Sequence, residues 1–292
     1  MQVTVFTPAY NRGYIIKNLY ISLCAQKNKN FEWLIVDDGS TDNTGELIKE
    51  WQAQNNGFDI IYIKTENGGK HRAINTGVRL ARGELFFIVD SDDYLTDDAI
   101  NKLICWRNGL SGPHKFAGVA GAKGYDKINY IGQAFTGSNY IDARNTEREH
   151  NNLNGDKAEA YFTEVLKKYP FPEFENENFV TEEAVWNAIA ADGYYLRWHK
   201  DIIYICNYLD DGLTKSGNAK YINNPQGVLY WVKIQMRAFP KSTKKKLSAV
   251  NRYYEAVKHK KTIQQVAKDI EISVLYCRLA VLAAKLKRKF KL

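Results

Sequence analysis

Two stretches decide how this chain is read: WLIVDDGSTDNT (residues 33–44) and ARGELFFIVDSDDYL (residues 81–95). Each is a short apolar run, 33–36 and 85–89, that opens onto a cluster of aspartates. The first cluster holds Asp37 and Asp38; the second holds Asp90, Asp92 and Asp93. Short apolar runs bounded by turn formers suit buried strands. Strands that end on paired carboxylates gather negative charge at one edge of a sheet, which is costly without a counter-ion. A divalent cation offsets that cost, and all-oxygen ligation suits Mg²⁺ or Mn²⁺ with water or substrate phosphate completing the sphere. Taken singly, each cluster also reads as an ordinary turn, with Ser40, Asp42 and Thr44 as helix caps. Asp97 and Asp98 read as helix-start residues with no larger role.

Working outward, residues 3–6 are β-rich and stop at Thr7-Pro8, and 13–26 read as a helix with apolar Ile15, Ile16, Leu19 and Leu23. A helix is expected through Ile48 and Trp51, a third strand over 59–63, and a helix over 70–82 whose end Gly83 marks. A fourth strand over 84–89 and a helix over 96–106 follow. Such alternation predicts an α/β fold, a mostly parallel central sheet flanked by helices, with ligands outside the carboxyl ends of its strands. From residue 107 the pattern changes. Residues 156–169 read as helical up to Pro170 and Pro172, 180–191 as helical, 194–208 as strands, and everything beyond Asn223 as helical. No repeat or linker interrupts 1–220, so one catalytic domain over 1–220 with a helical extension over 221–292 is expected.

Composition narrows the function. With 292 residues, 45% hydrophobic and 25% charged, the chain is not globally disordered. No apolar run reaches the roughly 18 residues of a membrane-spanning helix, and the N-terminus has no secretory signal pattern. Cys24, Cys105, Cys206 and Cys277 form no CxxC pair, which predicts a reducing cytoplasm rather than a disulfide or zinc scaffold. The 41 Lys+Arg and 33 Asp+Glu are unevenly placed: residues 241–292 hold 15 basic and 3 acidic, the rest 26 and 30. An acidic body with a basic tail is not the profile of a nucleic-acid binder, and no nucleic-acid partner is expected.

The ordered set TPAYNR (7–12), WLIVDDGSTDNT, NGG (67–69) before AINTG (73–77), and ARGELFFIVDSDDYL resembles the nucleotide-sugar-binding half of family 2 glycosyltransferases. A second match is FVTEEAVW (179–186), and the resemblance thins after Asn223. It implies a glycosyltransferase A fold, with 1–106 binding the donor and 107–220 the acceptor. The implied activity is inverting transfer of a sugar from a nucleoside diphosphate, most often UDP, to a hydroxyl of a saccharide or lipid-linked saccharide in surface polysaccharide or glycolipid synthesis. By the same resemblance Tyr10 stacks on the nucleobase, and Thr7, Pro8, Ala9, Asn11 and Arg12 complete its turn. Asp38 receives the base N–H, with Asp37 beside it. Asp90, Ser91 and Asp92 form the DxD motif. Asp92 ligates Mn²⁺ or Mg²⁺, Asp90 meets the ribose or metal-bound water, and Asp93 assists.

One departure from the family pattern is Ile74, which stands before Asn75 where an Arg is common. Lys70 or Arg72 is therefore expected on the donor diphosphate, helped by backbone N–H groups at the helix start. His71 reads as structural. The general base is expected at Glu183, with Glu182 the alternative; both also suit a helix N-terminus capped by Thr181. Glu175 and Glu177 read as solvated. Residues 210–214 read as a mobile segment or a plain turn, and His199 or Lys215 as able to reach the diphosphate. Competing readings are a Mg²⁺-dependent phosphatase or nucleotidyltransferase and a non-catalytic degenerate transferase. A DxD phosphatase of the haloacid dehalogenase type would carry its motif after the first strand with Thr or Val fifth; here it follows the fourth, and Tyr94 is fifth.

The last helix places Leu275, Leu279, Leu282 and Leu286 among Arg278, Lys285, Lys287, Arg288, Lys289 and Lys291. Such a basic amphipathic helix suits either an anionic membrane surface or packing on the core. The expected location is cytoplasmic, peripheral at the inner face of the cell membrane.

Overall fold

The structure, a computed structural model, describes residues 1–207, 217 and 219–289. The segment 210–214 and Lys215 lie outside the described residues. The chain forms two compact units, one of Met1–Pro170 with Gly193–Asp210, the other of Phe171–Asp192 with Asp211–Leu292. Residues 171–192, which the sequence reading kept with the catalytic domain, thus cluster with the C-terminal helices.

The first unit is built on one sheet. Strands β1 (Val3–Ala9), β2 (Phe31–Asp37), β3 (Asp59–Lys64) and β4 (Leu85–Ile88) lie parallel in the order β3-β2-β1-β4. Helices α1 (Lys17–Cys24), α2 (Thr44–Gln52) and α3 (Lys70–Leu80) connect them. Val5 is in register with Trp33 on one side and Phe87 on the other, and all three are fully buried with Leu19 and Leu23 of α1. On the opposite face α3 comes close enough that a Cβ on Gly77 would meet the Phe6 ring at 2.3 Å. Strands β1, β2 and β4 are buried on both faces, which is why they read as continuous apolar runs rather than as alternation.

Beyond β4 the sheet is mixed. A short β5 (Tyr94–Leu95) and α4 (Ala99–Asn108) lead into β6 (Phe116–Gly124), followed by β7 (Tyr140–Ala143), β8 (Lys157–Phe162), a single turn α5 (Thr163–Leu166) and β9 (Tyr195–Ile205). Strand β8 is antiparallel to both β4 and β6, β9 is parallel to β6, and β5 and β7 are antiparallel to β9. The helix expected over 156–169 is thus a strand and one turn. The Ala- and Glu-rich stretch favours a helix locally, but it fills a slot between two strands. There Gly118 lies so close that a Cβ on it would meet the Ala160 carbonyl at 2.0 Å. Gly83 also differs from expectation. Helix α3 ends at Leu80, and Gly83 is needed because a Cβ there would meet the Thr4 nitrogen at 2.3 Å.

The second unit is helical: α6 (Glu182–Ala191), α7 (Ala219–Ile222), α8 (Pro225–Ala238), α9 (Thr243–Val257), α10 (Ile263–Ile270) and α11 (Val274–Lys289). Ala184, Val232, Ala249, Val266, Ala267 and Cys277 centre its core. A capping box starts α10, with Thr262 Oγ1 accepting from Gln265 N and Gln265 Oε1 from Thr262 N. Glu177, expected in solvent, is buried; its two oxygens accept from Gln226 N (2.8 Å) and Gly227 N (2.9 Å), satisfying the first turn of α8 behind Pro225. None of the described helices is long and apolar enough to cross a membrane.

Candidate active site

The strand order reverses between β1 and β4, since β2 and β3 lie to one side and the later strands to the other. In open α/β sheets the crevice beyond the carboxyl ends at such a switch point is the ligand site. Tyr10 follows β1, Asp37 ends β2, Asp38 follows it, and Asp90 follows β4 with one residue between. The three motifs spread over more than 80 residues of sequence therefore share one edge.

The first two motifs are laced together. Asp38 N donates to the Ala9 carbonyl (2.8 Å). Asn11 sits in the left-handed region (φ 52°), which Asn tolerates better than most residues. Its N–H donates to Ser40 Oγ (2.8 Å), and its Oδ1 accepts from Thr41 N (2.8 Å) and Asp42 N (3.3 Å). Arg12 N donates to Thr44 Oγ1 and Gly13 N to Asp42 Oδ2. Ser40, Asp42 and Thr44, read as helix caps, mainly hold the TPAYNR turn; the N-cap of α2 is Asn43, whose side chain makes no capping bond. This lacing leaves Tyr10 projecting, 49% exposed, a flat aromatic at the strand ends.

The two aspartates of the second motif have different surroundings. Asp37 is fully buried; Oδ1 accepts from Ser40 N (2.7 Å) and Oδ2 from the Tyr62 hydroxyl (2.5 Å). Asp38 accepts from Gly68 N (2.7 Å) and Gly69 N (2.8 Å), and its carbonyl accepts from Asn67 Nδ2. The NGG motif thus caps Asp38 with backbone N–H groups. Gly69 has φ 95°, and a Cβ on Gly39 (φ 86°) would meet Asn67 N at 2.9 Å. Burial raises the Asp38 carboxyl above its ordinary value, although the two backbone bonds pull the other way.

The DxD segment is the electrostatic centre. Lys70, the first residue of α3, lies with Nζ 2.6 Å from Asp90 Oδ1. Burial alone would raise the Asp90 pKa, but Lys70, Lys123 and Arg12 outweigh it and hold the carboxyl below its usual range. Asp92 is raised, by burial and then by Asp90. Asp93 is pushed up to about 6 by burial and by the same neighbour. Asp93 accepts from the Tyr204 hydroxyl (2.7 Å) and Asn207 N (2.8 Å), and the same hydroxyl accepts from Asp90 N (3.0 Å). Ser91 is buried between the two DxD carboxylates.

Among the described residues, no group of three His, Cys, Asp or Glu is arranged to hold a metal ion. A site of one or two carboxylates completed by water and substrate phosphate does not need three. The half-buried, mutually repelling Asp90 and Asp92 fit that smaller donor set.

The remaining candidates lie elsewhere in the fold. His199 stacks on Trp106 with centroids 4.2 Å apart, and burial lowers its pKa to about 4. It lies five residues before Tyr204 on β9, roughly 16 Å along a strand. His71 is buried at 2% exposure. Thr181 is the N-cap of α6 but makes no side-chain capping bond. Glu182 and Glu183 open α6, in the second unit. Glu183 Oε2 accepts from Trp231 Nε1 (3.0 Å), and Oε1 from Gln235 Nε2 (3.0 Å) and Asn187 Nδ2 (3.3 Å). Three neutral donors thus orient that carboxylate.

Residues 4–106 match the family model described as "Glycosyl transferase family 2". Over 102 residues the chain is 37% identical to the glycosyltransferase GlyA of Streptococcus pneumoniae serotype 4; the match covers 35% of this chain and 14% of that protein. The chain therefore spans only a small part of that relative. Across nearly its whole length its fold is that of the Staphylococcus aureus TarS fragment 1–349 in complex with UDP-GlcNAc (TM-score 0.61, 17% identity, 97% of this chain and 89% of that one). The mannosyltransferase PcManGT of Pyrobaculum calidifontis, in complex with GDP-Man and Mn²⁺, is also similar (TM-score 0.56, 17% identity, 99% and 87%). The fold is the glycosyltransferase A fold, a mixed α/β sheet with flanking helices.

Around the matched segment the structure adds residues that the sequence reading missed. Lys123 of β6 carries its ammonium 4.0 Å from the Tyr204 ring centroid. Burial opposes its charge, but Asp90, Cys206, Asp93 and Glu159 outweigh that and raise its pKa. Tyr204 itself bridges Asp90 and Asp93. Both residues come from the half whose pattern changes after residue 107, and neither sits in a motif. Only the pairing of β9 with β6 and β5 brings them to the DxD turn.

Proposed function

We propose that the protein is an inverting glycosyltransferase. It moves a sugar from a nucleoside diphosphate donor, UDP first, to a hydroxyl of a saccharide or lipid-linked saccharide in surface polysaccharide or glycolipid synthesis, at the cytoplasmic side. The observation that carries this reading is the meeting, at one switch point, of exposed Tyr10, the Asp38 carboxylate and the Asp90–Lys70 pair beside Asp92. The match of residues 4–106 to family 2, and fold neighbours solved with UDP-GlcNAc and with GDP-Man, support it.

In this reading Tyr10 stacks on the base, in the turn made by Thr7, Pro8, Ala9, Asn11 and Arg12. Asp38 accepts the base N–H with the lone pairs that Gly68 and Gly69 leave, and Asp37 holds the turn. Lys70 or Arg72 meets the diphosphate at the start of α3. Asp92 and Asp90 would hold Mn²⁺ or Mg²⁺, which when bound neutralises charge developing on the departing diphosphate. Glu183, with Glu182 the alternative, takes the acceptor proton as the hydroxyl oxygen bonds to the anomeric carbon. The bond to the diphosphate breaks on the opposite face, inverting that centre. Trp231, Gln235 and Asn187 keep the Glu183 carboxylate oriented.

Thermal melting with UDP, GDP, dTDP and CMP, each with and without Mn²⁺, tests the reading. A ligand at 100 times its Kd stabilises the fold by about 2.7 kcal/mol. A metal-dependent rise with one nucleoside diphosphate is expected. No rise with any of them, in folded protein, would overturn the proposal.

A further inference from the structure

Helix α11 turns its leucines away from the core. Leu275, Leu279, Leu282 and Leu286 are 68%, 50%, 52% and 47% exposed, while Cys277, Ala280 and Val281 of the same helix are 0%, 1% and 4% exposed. At about 100° per residue, the leucines, spaced four, three and four apart, fall on one stripe. The buried trio is centred about 180° away. The stripe is therefore not the side that holds α11 to α9 and α10. Soluble proteins expose single leucines routinely; an aligned row of four marks a surface made to be covered.

Charge selects what covers it. The α11 sequence, VLYCRLAVLAAKLKRK, contains five basic residues and no acid. By helical position Arg278 and Lys285 flank the stripe on one side and Lys287 lies on the other. Beside it, a cavity of about 590 Å³ is lined by Lys244, Arg252, Lys258, His259 and Lys287, with Glu255 the one acid. Glu255 is paired with Lys258 at 2.7 Å. The same leucine spacing could serve as a coiled-coil seam with a second copy. That would set Arg278 and Lys285 beside an equally acid-free helix, where like charges repel.

We infer that α11 is a membrane-docking face. The four leucines enter the acyl boundary of an anionic phospholipid bilayer, the flanking cations reach the phosphates, and the basic cavity between α9 and α11 receives a headgroup. This does not depend on the transferase reading, because every residue involved lies between Lys244 and Lys287, outside the candidate active site.

The test is co-sedimentation of the full chain with phosphatidylcholine vesicles with and without phosphatidylglycerol, alongside sedimentation velocity without lipid. Binding is expected only where phosphatidylglycerol is present. Leu279→Glu with Leu282→Glu is expected to weaken it by more than about tenfold. Arg278→Gln with Lys285→Gln is expected to weaken it by roughly fivefold per cation removed. Both pairs replace side chains outside the core, and an unchanged melting temperature verifies folding. Absence of wild-type binding, or equal binding by wild type and both variants, would overturn the inference. So would a self-associating wild type that the leucine pair turns monomeric without changing vesicle binding, since the stripe would then be a contact between copies.

Discussion

Asp93 offers a prediction whose size follows from the site. Its carboxyl is 6% exposed, and burial and the neighbouring Asp90 raise it from 3.8 to about 6. At 1.36 kcal/mol per pKa unit that displacement corresponds to about 3 kcal/mol. The sign follows from proton binding. Below pH 3.8 the group is neutral in both folded and unfolded chains and contributes nothing. Between 3.8 and about 6 the folded chain holds a proton that the unfolded chain has released, so stability falls as pH rises. Above about 6 the full loss is in place. In Asp93→Asn the titration is removed. The amide oxygen can replace only one of the two acceptors that serve Tyr204 and Asn207, a cost of about 1–2 kcal/mol that does not vary with pH. Denaturant unfolding of both proteins from pH 4 to pH 8 isolates the term. The stability of wild type minus that of variant is expected to drop by about 2.4 kcal/mol between pH 4 and pH 7, the rest of the loss lying below pH 4. A difference that stays flat across that range would refute the argument, because the burial and the Asp90 proximity that produce the shift would not exist.

Other expectations concern binding and the second unit. Tyr10→Ala should leave the melting temperature of the free protein within about a degree or two, since half of the side chain is already in solvent. The same change should weaken the nucleotide-induced melting shift by the roughly 1–3 kcal/mol of a lost base stack, read from a nucleotide titration. Glu183→Gln should lower kcat by about 10²–10⁴-fold while the nucleotide shift persists, and normal turnover would reassign the base to Glu182. Glu177→Ala leaves the N–H groups of Gln226 and Gly227 without their acceptor. It should cost about 2–4 kcal/mol in urea unfolding, and Glu177→Gln should recover part of that.

Much of the segment 1–106 was legible because its code is local. An apolar run of four or five residues followed by Asp or Pro-Ala-Tyr states both a buried strand and its carboxyl end. The alternation of such runs with helices then implies a mostly parallel sheet. The same local reading failed where a residue's role is set by something distant. Lys157 to Phe162 has helix-favouring Ala and Glu but is a strand because β4 and β6 flank it. Gly83 looks like a helix terminator and is instead a contact with β1. Glu177 looks solvated in its polar stretch, yet serves the start of a helix about 50 residues further on.

The roles expected for Tyr10, Asp38, Asp90 and Asp92 came from the resemblance to family 2; pattern and composition by themselves determined most elements of the first hundred residues, the aspartate clusters at the strand ends, and the basic amphipathic character of the last helix. These depend on periods of two and 3.6 and on residue types at strand ends, which a chain carries whether folded or not. Tertiary structure alone decided that Lys70 pairs with Asp90 and that Tyr204 and Lys123 join the DxD turn. It also decided that Glu183 is held by Trp231 and Gln235, and that the leucines of α11 face away from the core. Each of those facts is a meeting of groups 20 or more residues apart, or a choice of which helix face is covered. Such meetings are set by the packing of the whole sheet and bundle, on which local propensity has no bearing.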